Sequence, residues 1–180
     1  MLGVGFRFPA FSMQATVGLE PGKTFQTITD QDFPELWRVY FFWPKDFTFV
    51  CPTELVAFAQ LNAEFEKRNA RLLGCSTDSE FVHLAWREHN AALRHLPFPM
   101  LADVRRDLSS ALGVVDPVEG VAQRATFIVD PHDIIRFVSV NDLSVGRNPQ
   151  EVLRVLDALQ TEQLCPANWQ VGERVLLATV

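Results

Sequence analysis

Cysteine is scarce in this chain, three residues in 180. That excludes a disulfide scaffold, which needs far denser cysteine. Glycine is also sparse, and no Gly-rich phosphate loop of either standard pattern occurs. No apolar run approaches the ~20 residues that a membrane span requires. The opening stretch, MLGVGFRFPAFSM, lacks the basic segment and continuous apolar core of a secretory signal. The expected location is therefore the cytoplasm, where thiols stay reduced and paired cysteines are redox-active more often than structural. Positive charge is in the minority, with 16 Lys and Arg against 22 Asp and Glu. A general nucleic-acid binder would need a basic face, so neither nucleic acid nor membrane is expected as a partner. The histidines, His83, His89, His95 and His132, lack metal-ligand spacing, and no Cys-x-x-Cys is present. No metal site is expected, and His83 and His89 are assigned to a helix surface or an interface. No nucleophile-elbow motif supports a Ser-His-Asp triad.

What is present is enough for one domain with a full core: 48% of the residues are hydrophobic and 21% charged. The run WRVYFFW (37–43) is short, aromatic and almost wholly apolar, as a strand buried on both faces would be. Helical spacing of Leu55, Phe58, Ala59, Leu61 and Phe65 predicts a helix from Pro52 to about Asn69. ARLLGCS (70–76) predicts a second strand. Asp78 or Ser79 is placed to cap a helix over 80–94 whose stripe is Phe81, Leu84, Ala85 and Trp86. Pro97 and Pro99 make 96–103 extended, and 105–112 forms a short helix. Strands over 125–130 and 134–140 are joined by the turn residues Pro131 and Asp133. Asn148 caps a last helix with Pro149 in its first position. The order is strand–helix–strand–helix, then strand–strand–helix, which predicts an α/β fold with a mixed central sheet flanked by helices. A thioredoxin-like domain has this order; it is expected over residues 1–160, with a tail segment over 161–180.

The stretch PKDFTFVCPTE (44–54) places Cys51 at the start of the first long helix, just after the buried strand. Only a thiolate is nucleophilic, and the unpaired N–H groups and positive dipole end of a helix favour that form. A buried, inert thiol is the alternative at such a position. Glu54 holds the fourth position of a Cys-x-x-Cys that would begin at Cys51, so no local disulfide can close and a simple thioredoxin is not expected.

Pro44, Thr48 and Cys51 fit the pattern Pro-x-x-x-Thr-x-x-Cys, and the flanks FFWPKDFTFVCPTE, LLGCSTDSEFVHLAW, PFPMLAD, FIVD, SVGRN and LCPANW follow in order. In these motifs, which run from about residue 5 to residue 172, the chain resembles the typical two-cysteine peroxiredoxins, specifically the bacterial alkyl hydroperoxide reductase C type. The resemblance implies a thiol-dependent peroxidase that reduces hydrogen peroxide and organic hydroperoxides without metal or prosthetic group. It makes Cys51 the peroxidatic residue, with Thr48 and Arg124 donating to the peroxide, Arg124 favouring the thiolate and Pro44 shielding it. Glu54 and Arg147 become the pair that orients Arg124. Cys165 is the resolving residue, forming a disulfide with Cys51 of another subunit. That makes a homodimer the minimum, with assembly into a ring such as a decamer.

The related three-cysteine cycle uses Cys-x-Cys in the tail, where this chain has Ala167. A two-cysteine cycle is therefore expected, with a thioredoxin, a CxxC adaptor protein or a flavin-dependent disulfide reductase as reductant. Cys75, at the end of a predicted strand, is read as a buried structural residue. A ring-forming holdase or peroxide-signalling scaffold is the rival reading, and a thiol–disulfide exchange protein a third. Family members sensitive to overoxidation carry a Gly-Gly-Leu-Gly loop and a Tyr-Phe tail helix. Here the loop reads RHLPFPM, and no Tyr-Phe occurs near the end of the chain. Turnover should therefore persist through a titration with excess peroxide, measured as residual activity; inactivation at low peroxide would overturn this.

Overall fold

The computed structural model describes residues 1–177. Its strands are β1 (Ser12–Thr16), β2 (Phe25–Thr29), β3 (Trp37–Phe42), β4 (Ala70–Ser76), β5 (Met100–Ala102), β6 (Arg124–Val129) and β7 (Ile135–Asn141). The helices are α1 (Cys51–Lys67), α2 (Glu80–His89), α3 (Asp107–Leu112) and α4 (Pro149–Gln160). The strands form one mixed sheet in the order β2-β1-β5-β4-β3-β6-β7. Parallel pairings β3–β4 and β4–β5 occupy the centre, and antiparallel pairings flank them. This is a thioredoxin-like mixed sheet flanked by helices.

The two-residue period of β3 distributes the core. Val39 and Phe41, followed by Trp43, face the helices α1, α2 and α4, where Leu55, Phe58, Phe65, Trp86, Val152 and Leu156 meet them. Tyr40 and Phe42 face the other side, packing with Phe8, Phe127 and the α3 residues Leu108 and Leu112. With both faces covered, a continuous apolar run is what the central strand requires. No helix among the described residues is long and apolar enough to cross a membrane.

Several expectations from the sequence need correction. β1 and β2 were not foreseen; they pair with each other along five positions, and β1 joins β5 through Ala15 and Thr16. The second helix ends at His89 rather than at residue 94, because Asn90 turns extended and Leu93 and Leu96 enter the core from a turn. Its buried stripe is His83, Trp86 and Arg87, while Phe81 is exposed. His83 is not on a surface: it is fully buried, with Nδ1 2.7 Å from Asp46 Oδ2 and Nε2 3.2 Å from the Leu101 carbonyl. His89 is exposed. Ser79 and Asn148 cap α2 and α4 as expected, accepting from the Val82 and Gln150 amides.

Gly74 lies on β4 directly beneath the strand end that leads to the site. A Cβ there would come within 2.8 Å of Trp43 Cζ3 and 3.1 Å of Phe41 Cζ. Both rings are fully buried and cannot retreat into solvent. Gly74→Ala should cost about 1–3 kcal/mol by overpacking, lowering Tm by roughly 2–4 °C per kcal/mol in a chain of this size; thermal unfolding followed by circular dichroism measures it.

Candidate active site

Four chain segments deliver the site. β3 ends at Phe42, and the following loop carries Pro44 and Thr48 before α1 opens at Cys51. β6 opens with Arg124, and the segment between β7 and α4 supplies Leu143 and Arg147. Cys51 is 1% exposed. Thr48 Oγ1 lies 3.0 Å from Cys51 Sγ and 2.9 Å from the Lys45 carbonyl. A hydroxyl has one proton, so it serves one acceptor at a time. With a thiol at Cys51, Thr48 donates to Lys45 and accepts S–H; with a thiolate, it donates to sulfur.

Arg124 Nη1 lies 3.3 Å from Cys51 Sγ and donates to Glu54 Oε2 at 2.7 Å. Its Nε donates to the Leu143 carbonyl at 2.7 Å, which fixes the plane of the guanidinium. Glu54 is also gripped by Arg147, whose Nε and Nη2 donate to its two oxygens at 2.8 and 2.9 Å, with the Arg147 amide adding a third bond at 2.9 Å. Arg147 lies against the stacked pair Phe41 and Phe58, its guanidinium carbon 5.7 and 5.8 Å from their ring centroids. Burial pushes the Glu54 carboxyl up, but the hydrogen bonds and charge of Arg147, with Arg124 behind them, outweigh it and hold the group below its ordinary value.

The loop itself is fixed from below. Trp43 Nε1 donates to Asp46 Oδ1 at 2.7 Å, His83 sits on the other carboxylate oxygen, and the Asp46 amide donates to Asp78 Oδ2 at 2.8 Å. Burial pushes the Asp46 carboxyl above its usual range, and the His83 contact offsets this only in part. Around the sulfur is an open pocket of about 290 Å³ lined by Pro44, Lys45, Thr48, Phe49, Val50, Cys51, Glu119, Val121, Arg124 and Leu143.

The structure thus brings together Pro44, Thr48, Cys51, Glu54, Arg124 and Arg147. It does not bring in Cys165, which follows α4, is half-buried and lies beside Thr161 Oγ1 at 3.4 Å and the Ala158 carbonyl at 3.8 Å. Cys75 is fully buried, and burial, with Asp103 nearby, pushes its thiol well up. The Leu143 carbonyl and the Asp46–His83–Trp43 set escaped the sequence reading. A carbonyl leaves no side-chain signal, and a histidine on a helix face does not reveal an acid three dozen residues away. No cluster of His, Cys, Asp and Glu among the described residues could hold a metal ion.

The lowered Glu54 value has a sign in pH. A carboxyl depressed by folding contributes stability above its unfolded value, near 4.3, and loses that contribution as pH falls through the folded value. Glu54→Gln should cost about 3–5 kcal/mol near neutrality, leaving two buried guanidiniums without the carboxylate that pairs them, and should flatten the acid limb of the stability–pH curve. Urea unfolding from pH 7 to pH 3 tests both.

Comparison with known proteins gives a consistent picture. The model of the AhpC/TSA family matches residues 4–138. Alkyl hydroperoxide reductase C of Mycobacterium tuberculosis is 54% identical over 184 residues, covering 98% of this chain and 94% of that protein. The protein of the same name from Mycolicibacterium smegmatis is 50% identical over 186 residues, covering 99% of this chain and 95% of that one. Among solved structures, Mycobacterium tuberculosis AhpC superposes with a TM-score of 0.87 at 54% identity, over 94% of this chain and 99% of that chain. The reduced 2-Cys peroxiredoxin of Plasmodium vivax does so with a TM-score of 0.90 at 33% identity, over 97% and 93%. On the family match, the identities and the shared fold, the chain belongs to the AhpC/TSA family, as a peroxiredoxin of the alkyl hydroperoxide reductase C type.

Proposed function

We propose that this thiol-dependent peroxidase reduces hydrogen peroxide and organic hydroperoxides through Cys51 and recycles through Cys165 of a second copy of the chain. The observation that carries the reading is a single buried sulfur held between a hydroxyl and a guanidinium at the floor of an open pocket. The Cys51 thiolate attacks one peroxide oxygen and the O–O bond breaks. The departing alkoxide or hydroxide takes up a proton, leaving an alcohol or water and a Cys51 sulfenic acid; sulfur gives up two electrons and the peroxide gains them. Charge develops on both peroxide oxygens as the bond lengthens, and Thr48 and Arg124 are aimed at that region. Pro44 closes the sulfur off from bulk water. Glu54 and Arg147 hold Arg124 in place.

The Cys165 thiol of a second copy then attacks the sulfenic sulfur, water leaves and an intersubunit disulfide forms. A dithiol reductant, whether a thioredoxin, a CxxC adaptor or a flavin-dependent disulfide reductase, returns both thiols by exchange. Two features support a homodimer: Cys165 lies outside the pocket of its own chain, and β7, beyond Ile135 whose backbone is taken by Gly5 and Phe6, forms an open, half-buried edge of the sheet able to pair with another strand. The exposed side chains of Phe47, Phe81 and Val104 leave apolar surface for assembly of dimers into a ring such as a decamer. A cytoplasmic setting, with its reducing thiol pool, belongs to the same reading, as does a division into a peroxidase domain (1–160) and a tail (161–180) that carries the resolving thiol.

Cys51→Ser should abolish peroxide turnover. Cys165→Ser should allow one round of Cys51 oxidation and lose recycling by a dithiol. On a non-reducing gel after peroxide treatment, a dimer band should appear that needs both cysteines. Turnover surviving in Cys51→Ser would overturn the reading, and holdase activity without any peroxidase activity in the native chain would favour the rival.

A further inference from the structure

The pocket around Cys51 is far larger than the reaction needs. A volume of about 290 Å³ is roughly ten times a water's share of liquid volume, while only two peroxide oxygens must reach the sulfur. The remainder is room for the group attached to the peroxide. Its walls include Phe49, Val50, Val121 and Leu143, so an apolar substituent fits. Besides Arg124 at the sulfur, two charged side chains interrupt this lining. Lys45 Nζ and Glu119 Oε2 are 2.7 Å apart, and their side chains are 50% and 48% exposed. They come from separate segments, the catalytic loop and the stretch before β6, and both line the pocket, so the contact ties two parts of its wall together on the solvent side. The Lys45 backbone is fixed by the Thr48 hydroxyl on its carbonyl and by its neighbour Asp46 beneath the loop. The side chain is left free to swing only about that anchor.

We propose that the Lys45–Glu119 pair is a specificity determinant, a bar across the pocket mouth that sets how bulky a hydroperoxide can reach Cys51. The inference rests on the peroxidase reading above and adds to it the residues that sort substrates. A small peroxide passes beside the bar. An aryl or branched alkyl hydroperoxide must displace it, separating the pair and stripping two charges against apolar surface. Exposed ion pairs hold weakly, which suits a bar that opens on demand.

Charge reversal tests this directly. Lys45→Glu sets two carboxylates at the rim, and Glu119→Lys sets two ammonium groups there, so each single variant repels itself open. The double variant Lys45→Glu/Glu119→Lys restores the bar with its poles exchanged. The measured quantity is the ratio of second-order rate constants for Cys51 oxidation by cumene hydroperoxide and by hydrogen peroxide. Both substrates are neutral and meet the same sulfur, so a change in the fraction of thiolate cancels in the ratio.

In each single variant the ratio should rise by roughly two- to fivefold, the opening that a pair of this strength can restrain, and the double variant should return to the native ratio. A ratio unchanged in both single variants overturns the proposal. So does a double variant that keeps the raised ratio, because the effect would then belong to side-chain size and not to the contact. Absence of Cys51 oxidation by either peroxide in the native chain would instead remove the peroxidase reading itself.

Discussion

A single carboxylate organises the chemistry of this chain. Glu54 accepts from Arg147 on both oxygens and from Arg124 on one, and the far end of Arg124 reaches the sulfur of Cys51. All three charged side chains are nearly buried. Two guanidiniums against one carboxylate leave a buried excess of positive charge, which is costly in a low-dielectric setting. The Cys51 sulfur faces that excess, 3.3 Å from Arg124 Nη1. Under the proposed cycle, the ion pairs that hold the fold together at this point also set a guanidinium against the reacting sulfur.

The sheet decides where this cluster stands. Cys51 opens α1 directly off the loop after β3, Arg124 opens the strand paired antiparallel to β3, and Arg147 comes from the segment after β7. The cluster thus gathers at one end of neighbouring strands, where element ends and the loops joining them bring distant positions together. The aromatic layer beneath is part of the same arrangement. Phe41 and Phe58 stack at 4.1 Å with the Arg147 guanidinium beside the pair, so the core packs against the charge that positions Arg124. Gly74 leaves space for Trp43, whose indole N–H then reaches Asp46 and fixes the catalytic loop.

Legibility in the sequence followed the range of the forces involved. β3, β4, α1 and α4 were readable because an apolar run, a 3.6-residue stripe and an Asn-Pro cap are local signals. β1 and β2 were not: SMQAT and FQTIT bury one or two residues each, and their partners are each other and a distant three-residue strand. The face of α2 was misjudged for a related reason. His83 and Arg87 look like solvent residues, yet they are buried because Asp46 and the carbonyls of Thr16 and Leu96 supply partners that only the fold brings near. At the site, the grouped motif named Pro44, Thr48, Cys51, Glu54, Arg124 and Arg147, whose meeting in space agrees with their meeting in the motif. It could not show the Leu143 carbonyl or the Lys45–Glu119 contact, which depend on where two loops come to rest.

The start of α1 is where stability gives way to use. Ser79 caps α2, Asn148 caps α4, and the Asp103 carboxylate accepts from the Leu108 and Ser109 amides at the start of α3. The longest helix has no such partner: Val50 precedes it with no side-chain cap. A missing cap costs a helix on the order of 1 kcal/mol. The loop before it holds Phe47 at φ 56°, a conformation that bulky side chains rarely adopt. Both features weaken the same turn, the one that places Cys51 1% exposed. A sulfur so buried cannot meet a cysteine from another copy unless that turn opens. A cap at residue 50 would hold the turn closed and work against the second half of the proposed cycle. Leaving the turn weakly held is consistent with segments that must move being drawn from the low-stability part of a fold.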